Sequence, residues 1–122
     1  MDVGTGPVVT IFRSRLRSDA GAEYAELAPR MEARARSMPG LLDFKTFTAD
    51  DGERVSVVVF ETWEQHCAWR DDPEHRRAQA RGRERLYAEY SIQVCREVRR
   101  RSLSERHSPG GHGFPAGQQD GG

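Results

Sequence analysis

From residue 7 to residue 17 the chain alternates. Val8, Thr10, Phe12, Ser14 and Leu16 fall on one side of an extended backbone, and Val9, Ile11, Arg13, Arg15 and Arg17 fall on the other. A period of two predicts a first strand. The period then changes: Tyr24, Leu27, Met31, Ala35 and Met38 recur at three- and four-residue spacing opposite Glu23, Glu26, Arg30 and Arg34. This predicts a helix with one apolar stripe, with Ser18-Asp19 placed to cap its start. Pro29 lies off the stripe and is expected to bend the helix without interrupting it.

Pro39-Gly40 closes the helix, and Leu41 to Thr48 returns to alternation as a second strand. Asp50-Asp51-Gly52 is a hairpin turn. The third strand, Arg54 to Thr62, is the most apolar, with Val55, Val57 and Val59 on one face and Val58 and Phe60 on the other. Apolar residues on both faces predict a central strand covered on both sides. Thr62-Trp63-Glu64-Gln65 fits a capping box for a short helix through Trp69. Asp72-Pro73-Glu74 supplies a second cap, with proline at the first helical position and an acid in the first turn, for a segment expected to reach about Glu89. Tyr90 to Val98 alternates again as a last strand.

The order β-α-β-β-α-β predicts an α+β fold of ferredoxin-like plan, a four-stranded antiparallel sheet with its helices on one face. The other face needs cover. A second copy packed sheet to sheet, as a homodimeric α+β barrel, would supply it.

Composition narrows the function. The 122 residues carry 19 basic and 19 acidic side chains, so there is no net field to draw nucleic acid or an anionic membrane. Neither is expected as a partner. The longest apolar run, Val55 to Phe60, is far too short to span a bilayer. The opening Met1-Asp2-Val3-Gly4 lacks the basic and apolar regions of a signal peptide, and a cytoplasmic location is expected. Two cysteines, Cys67 and Cys95, cannot form a metal quartet and are read as free thiols. Residues 1–102 are expected to form the folded domain, and residues 103–122, rich in Gly, Pro and Ser, a disordered tail.

Candidate chemistry concentrates on the second helix. His75, Ala78, Gln79, Gly82 and Leu86 share one stripe, which is small and partly polar. Ala78 and Gly82 leave room above the sheet, where His75 and Gln79 would line a pocket; alternatively they allow close packing while His75 serves as a helix cap. Trp69 is either a stacking wall for a flat ligand or core, and Tyr87 and Tyr90 are phenols at the pocket mouth or packing groups. Arg13 would stabilise an anion if its face looked toward the helices, and otherwise sits at a rim or interface. His66 and Cys67 are adjacent in a helix, point about 100° apart, and make no nucleophile and base pair.

Ile11-Phe12-Arg13-Ser14-Arg15-Leu16, Met38-Pro39-Gly40 with Phe44-Lys45, the run Val57 to Trp63, and Trp69 leading to Pro73-Glu74-His75 together resemble the antibiotic biosynthesis monooxygenase family. The resemblance covers roughly residues 8 to 100 and implies a dimeric α+β barrel. Family members oxidise phenolic polycyclic substrates with molecular oxygen and no metal, flavin or haem, while others degrade haem. Trp69 and His75 look like the family's bent-helix tryptophan and Pro-x-His histidine, whereas the asparagine that some members use has no counterpart in a chain without asparagine. The resemblance thus implies a cofactor-free monooxygenase acting on a phenolic or polyketide-type aromatic molecule in secondary metabolism. His75 and Arg13 would be its catalytic residues, and Trp69, Gln79, Tyr87 and Gly82 its substrate contacts. An aromatic polyketide cyclase, a haem-binding or haem-degrading protein, and a non-catalytic small-molecule-binding accessory protein are the alternatives.

Overall fold

A computed structural model of the chain describes residues 5–105. Residues 106–122, most of the expected tail, lie outside the described residues. The elements are β1 (Val8–Leu16), α1 (Gly21–Arg36), β2 (Leu41–Thr48), β3 (Arg54–Phe60), α2 (Trp63–Arg70), α3 (Pro73–Arg81), a π-helical turn (Gly82–Leu86) and β4 (Tyr87–Arg96). The four strands form one antiparallel sheet in the order β2-β3-β1-β4, which places the apolar β3 in the interior as its composition requires.

Register fixes which side chains share a face. Val8 pairs with Phe60, Thr10 with Val58 and Phe12 with Ser56 across β1 and β3; on the flanks Phe44 pairs with Val58 and Ile92 with Phe12. These positions face the helices. Alternation sends Val9, Ile11, Val55, Val57 and Val59 to the opposite side of the sheet.

Three local expectations are corrected. First, α1 begins after Ala20, with no side-chain cap bond. Arg17 donates its backbone N–H to the Leu86 carbonyl at 2.8 Å and Ala20 donates to Arg17, so Ser18-Asp19 is spent in the turn before the helix. Second, the helical segment after Asp72 ends at Leu86, and the last strand starts at Tyr87 instead of Tyr90. The cause is the π-helical turn: its wider ring holds one residue more per turn and changes the phase in which the chain enters the sheet. Third, β3 stops at Phe60, because the Thr62–Gln65 capping box has already begun α2. That box needs Gly40, which has φ +87°, since a Cβ there would fall 1.9 Å from the Gln65 side-chain oxygen.

The core gathers at one end of the helix–sheet interface. Ala35, Val58, Phe60 and Trp69 are buried together, with Met38, Leu41 and Phe44 packed against them. Toward β4 the same interface is left open.

Candidate active site

The open part of the interface is a cavity of about 600 Å³ between the sheet, α1 and the α2–α3 arm, within the size range of small-molecule sites. Its floor includes Phe12 and Ser56, α1 contributes Tyr24, Leu27 and Met31, and the arm contributes His66, Trp69, His75 and Gln79. The space exists because α3 presents Ala78 and Gln79 where a core helix would carry large apolar groups.

The break between α2 and α3 builds the centre of the site. Asp72 caps α3 by accepting the His75 backbone N–H at 3.0 Å, and Pro73 takes the first helical position. Its carboxylate also receives two bonds from the Arg34 guanidinium of α1, at 2.5 and 3.2 Å. That pairing holds the carboxyl at about 2, well below the usual range. Because α2 ends here, the Trp69 carbonyl is released from helical bonding. It accepts the Asp72 N–H at 3.2 Å and lies 2.9 Å from His75 Nδ1. A carbonyl can only accept, so Nδ1 carries the proton and Nε2 keeps the lone pair. The imidazole is stacked on the Trp69 indole, with centroids 3.8 Å apart and planes 16° from parallel. Burial pushes the His75 pKa below its ordinary value, outweighing the carbonyl bond and the nearby Asp72 charge, so the ring is neutral at pH 7.

Of the predicted site residues, His75, Trp69, Gln79 and Tyr87 line the cavity, and Tyr90 joins them. Trp69 serves both readings, since it is 5% exposed, packs on Phe60 at 6.3 Å between centroids, and still forms wall. Trp63 is 42% exposed and does not line this cavity. Gly82 is buried but does not face the cavity: a Cβ there would fall 2.4 Å from the Tyr87 ring, so its role is to admit that ring. Tyr87 in turn packs edge-on against Phe12 at 5.3 Å, and burial pushes its phenol up to about 12.

Arg13 is the correction. It lies on the opposite face of β1 from Phe12, with its guanidinium held by Glu53 at 2.8 and 3.0 Å and its side chain 52% exposed. Alternation decided this, because the helices took the Phe12 face.

Three further cavity residues lie outside the sequence expectation. His66 is 4% exposed, and its Nδ1 has no partner among the described residues; burial, helped by the Arg70 charge, keeps its ring neutral. Its position three residues before Trp69 is the available signal. Tyr24, a core position by periodicity, lines the cavity, and Arg54 shares the face of Ser56 and Val58 by strand parity. Among the described residues no cluster of three or more His, Cys, Asp or Glu could hold a metal ion, and both cysteines are free. No described helix is long and apolar enough to cross a membrane.

Residues 7–81, which contain β1, α1 and the Trp69–His75 pair, match the family model for antibiotic biosynthesis monooxygenase. The chain belongs to the antibiotic biosynthesis monooxygenase family. Within reach of sequence comparison is the uncharacterized protein YqjZ of Bacillus subtilis (strain 168), 28% identical over 99 residues, or 81% of this chain and 87% of YqjZ. Solved structures share the fold. Rv0793 from Mycobacterium tuberculosis superimposes with a TM-score of 0.71 at 22% identity, covering 80% of this chain and all of that one. SnoaB from Streptomyces nogalater, described as a cofactor-independent oxygenase, does so with a TM-score of 0.67 at 17% identity, covering 80% of this chain and 97% of SnoaB. The family assignment and the split β-α-β fold agree, and the family match ends at Arg81, where the π-helical turn begins.

Proposed function

We propose that the protein is a cofactor-independent monooxygenase acting on a phenolic or polyketide-type aromatic small molecule, with His75 as its general base. The observation that carries this reading is the bond between His75 Nδ1 and the Trp69 carbonyl. It leaves a neutral imidazole in the cavity wall with Nε2 available for a proton, the state a base must have before reaction. Membership of the family and the likeness to SnoaB support the oxygen chemistry.

In this mechanism a phenol or anthrone gives its acidic proton to Nε2 of His75. The resulting electron-rich anion reduces oxygen by one electron, and the radical pair combines to form a carbon–oxygen bond. The peroxide then loses water to leave a carbonyl: a CH₂ group and O₂ become C=O and H₂O, with one oxygen atom in each product. The Trp69–His75 stack positions the flat substrate, and Gln79 offers its amide N–H to the developing oxyanion. The largely apolar wall excludes water. Arg13 has no part in this step, since Glu53 holds it on the other face. A homodimer, with the Val9, Ile11, Val55, Val57 and Val59 faces in contact, belongs to the same proposal.

The test is incubation with an anthrone under oxygen and under argon. Quinone formation with one O₂ taken up per product, only under oxygen and lost in His75→Gln, supports the proposal. Turnover of a polyketide chain under argon would instead mark a cyclase. Binding without turnover in either gas would mark an accessory protein.

A further inference from the structure

The cavity wall is electrostatically unbalanced. Three arginines line it, Arg54, Arg70 and Arg83, against one carboxylate, Glu32. Glu32 is engaged by Arg36 at 2.8 Å, and Arg70 by Asp71 at 3.0 Å. Arg83 is exposed, whereas Arg54 is half-buried. No described carboxylate lies within ion-pair distance of Arg54, and its guanidinium instead lies over the Tyr24 ring, 4.9 Å from the centroid. A cation drawn partly out of water without a counter-ion costs free energy that an incoming anion would recover.

Position along β3 separates this group from the base. Arg54 opens β3 at the hairpin, while Phe60 ends it and packs on Trp69, which carries His75. Six residues of strand at about 3.3 Å each place the two ends about 20 Å apart. The main chain of Arg54 is therefore at the opposite end of β3 from the Phe60 contact with Trp69, and the phenols of Tyr24 and Tyr87 are close enough to its guanidinium to feel its charge.

We propose that the ligand of this cavity carries a permanent anionic group, of the carboxylate class, which Arg54 holds at the hairpin end while the aromatic body lies toward Trp69. This inference rests on the small aromatic ligand proposed above, and it deepens that reading by naming the substrate as an aromatic acid. Tyr24 pins the guanidinium by its ring, leaving the N–H fork free to meet two carboxylate oxygens.

The experiment compares two probes of the same shape, 2-naphthoate and 2-naphthamide, by calorimetric titration of the full-length protein under argon at pH 7.5. The acid is fully ionised there, its carboxyl having a pKa near ~4. Wild type is expected to bind the acid roughly tenfold more tightly than the amide. Arg54→Gln should erase that preference while keeping the amide affinity, which also reports an intact cavity; Arg54→Met is the substitute should the glutamine variant fail to fold. Arg83→Gln should leave the preference in place. Equal affinity of wild type for both probes, binding of neither, or a preference surviving the loss of Arg54 would overturn the proposal. Neither probe has an oxidisable phenol and no oxygen is present, so a carboxylate preference stands even if no phenol is ever oxidised. Conversely, phenol oxidation by a protein indifferent to probe charge would remove this inference alone.

Discussion

His75 is bound twice to the same residue: its ring lies flat on the indole of Trp69 at 3.8 Å, and its Nδ1 meets the Trp69 main-chain carbonyl at 2.9 Å. One contact sets the plane of the imidazole, and the other sets which nitrogen is free. If Nε2 is the base, His75→Ala should lower turnover roughly a hundred-fold or more, and His75→Gln nearly as much, since glutamine keeps polarity but accepts no proton at neutral pH. The rate of wild type should rise with pH to a plateau, with a midpoint below the ordinary histidine value, because burial lowers the His75 pKa. Steady-state kinetics across pH 5 to 9 check both.

Trp69→Phe separates the two contacts. The main-chain carbonyl remains, so the tautomer is retained, while the stacking surface shrinks. KM should rise several-fold with a smaller change in kcat, the reverse of the His75 variants. A fall in kcat matching His75→Ala would mean that the indole acts in the chemical step.

Acid should weaken the fold in two stages. His66 and His75 both have folded-state pKa values pushed below 6.5, chiefly by burial. The unfolded chain therefore binds more protons near and below that pH, and stability, level above it, falls as pH drops through the folded-state values. Asp71 and Asp72 are held at about 2 by arginine hydrogen bonds. Their contribution is present above the ordinary carboxylate value of about 3.9 and is lost as pH falls from there through 2. Denaturant titrations at pH 7.5, 5.5 and 3.5 should show both declines, and His66→Leu should flatten the first.

Gly82→Ala tests the close approach behind the site. Its methyl would fall 2.4 Å from the Tyr87 ring, and forcing this half-buried, packed aromatic aside is an overpacking change of about 1–3 kcal/mol. The melting temperature should drop by several degrees. In a double-mutant cycle the cost of Gly82→Ala should largely vanish once Tyr87→Ala has removed the ring it strikes.

Assembly has its own measurement. Light scattering at micromolar concentration should give about twice 13.8 kDa. Replacing Val57 with Glu on the face away from the helices should convert the species to monomer.

Much of this architecture is legible in the residues alone. The period-two runs around Val8 and Leu41, and the apolar run of β3, yield strands in the right order, because alternation and double-sided burial leave direct marks in composition. The caps at Thr62 and Asp72 are readable for the same reason, each needing a particular side chain three residues from its partner. Tyr87 falls in a different element from the one its periodicity suggests because a π turn has no distinct sequence signal, so the α-helical period does not extend through Gly82–Leu86. Arg13 and Arg54 show the other limit. Parity states that each lies on the face opposite its strand neighbours, but only the packing of the helices decides which face encloses the cavity.

The π-helical turn from Gly82 to Leu86 also makes this edge of the site tolerant of changes in chain length. A π turn is a helix carrying one surplus residue, so deleting Arg83, Glu84 or Arg85, all exposed, would let the turn relax to ordinary α pitch without losing an element. The flanking α3 and β4 would keep their phase, and the change would fall on Arg83, which lines the cavity, and on the close approach of Gly82 to the Tyr87 ring. Single-codon deletions here are thus a route by which the chamber can change its outline, and the substrates it accepts, while the sheet and the Trp69–His75 pair stay where they are.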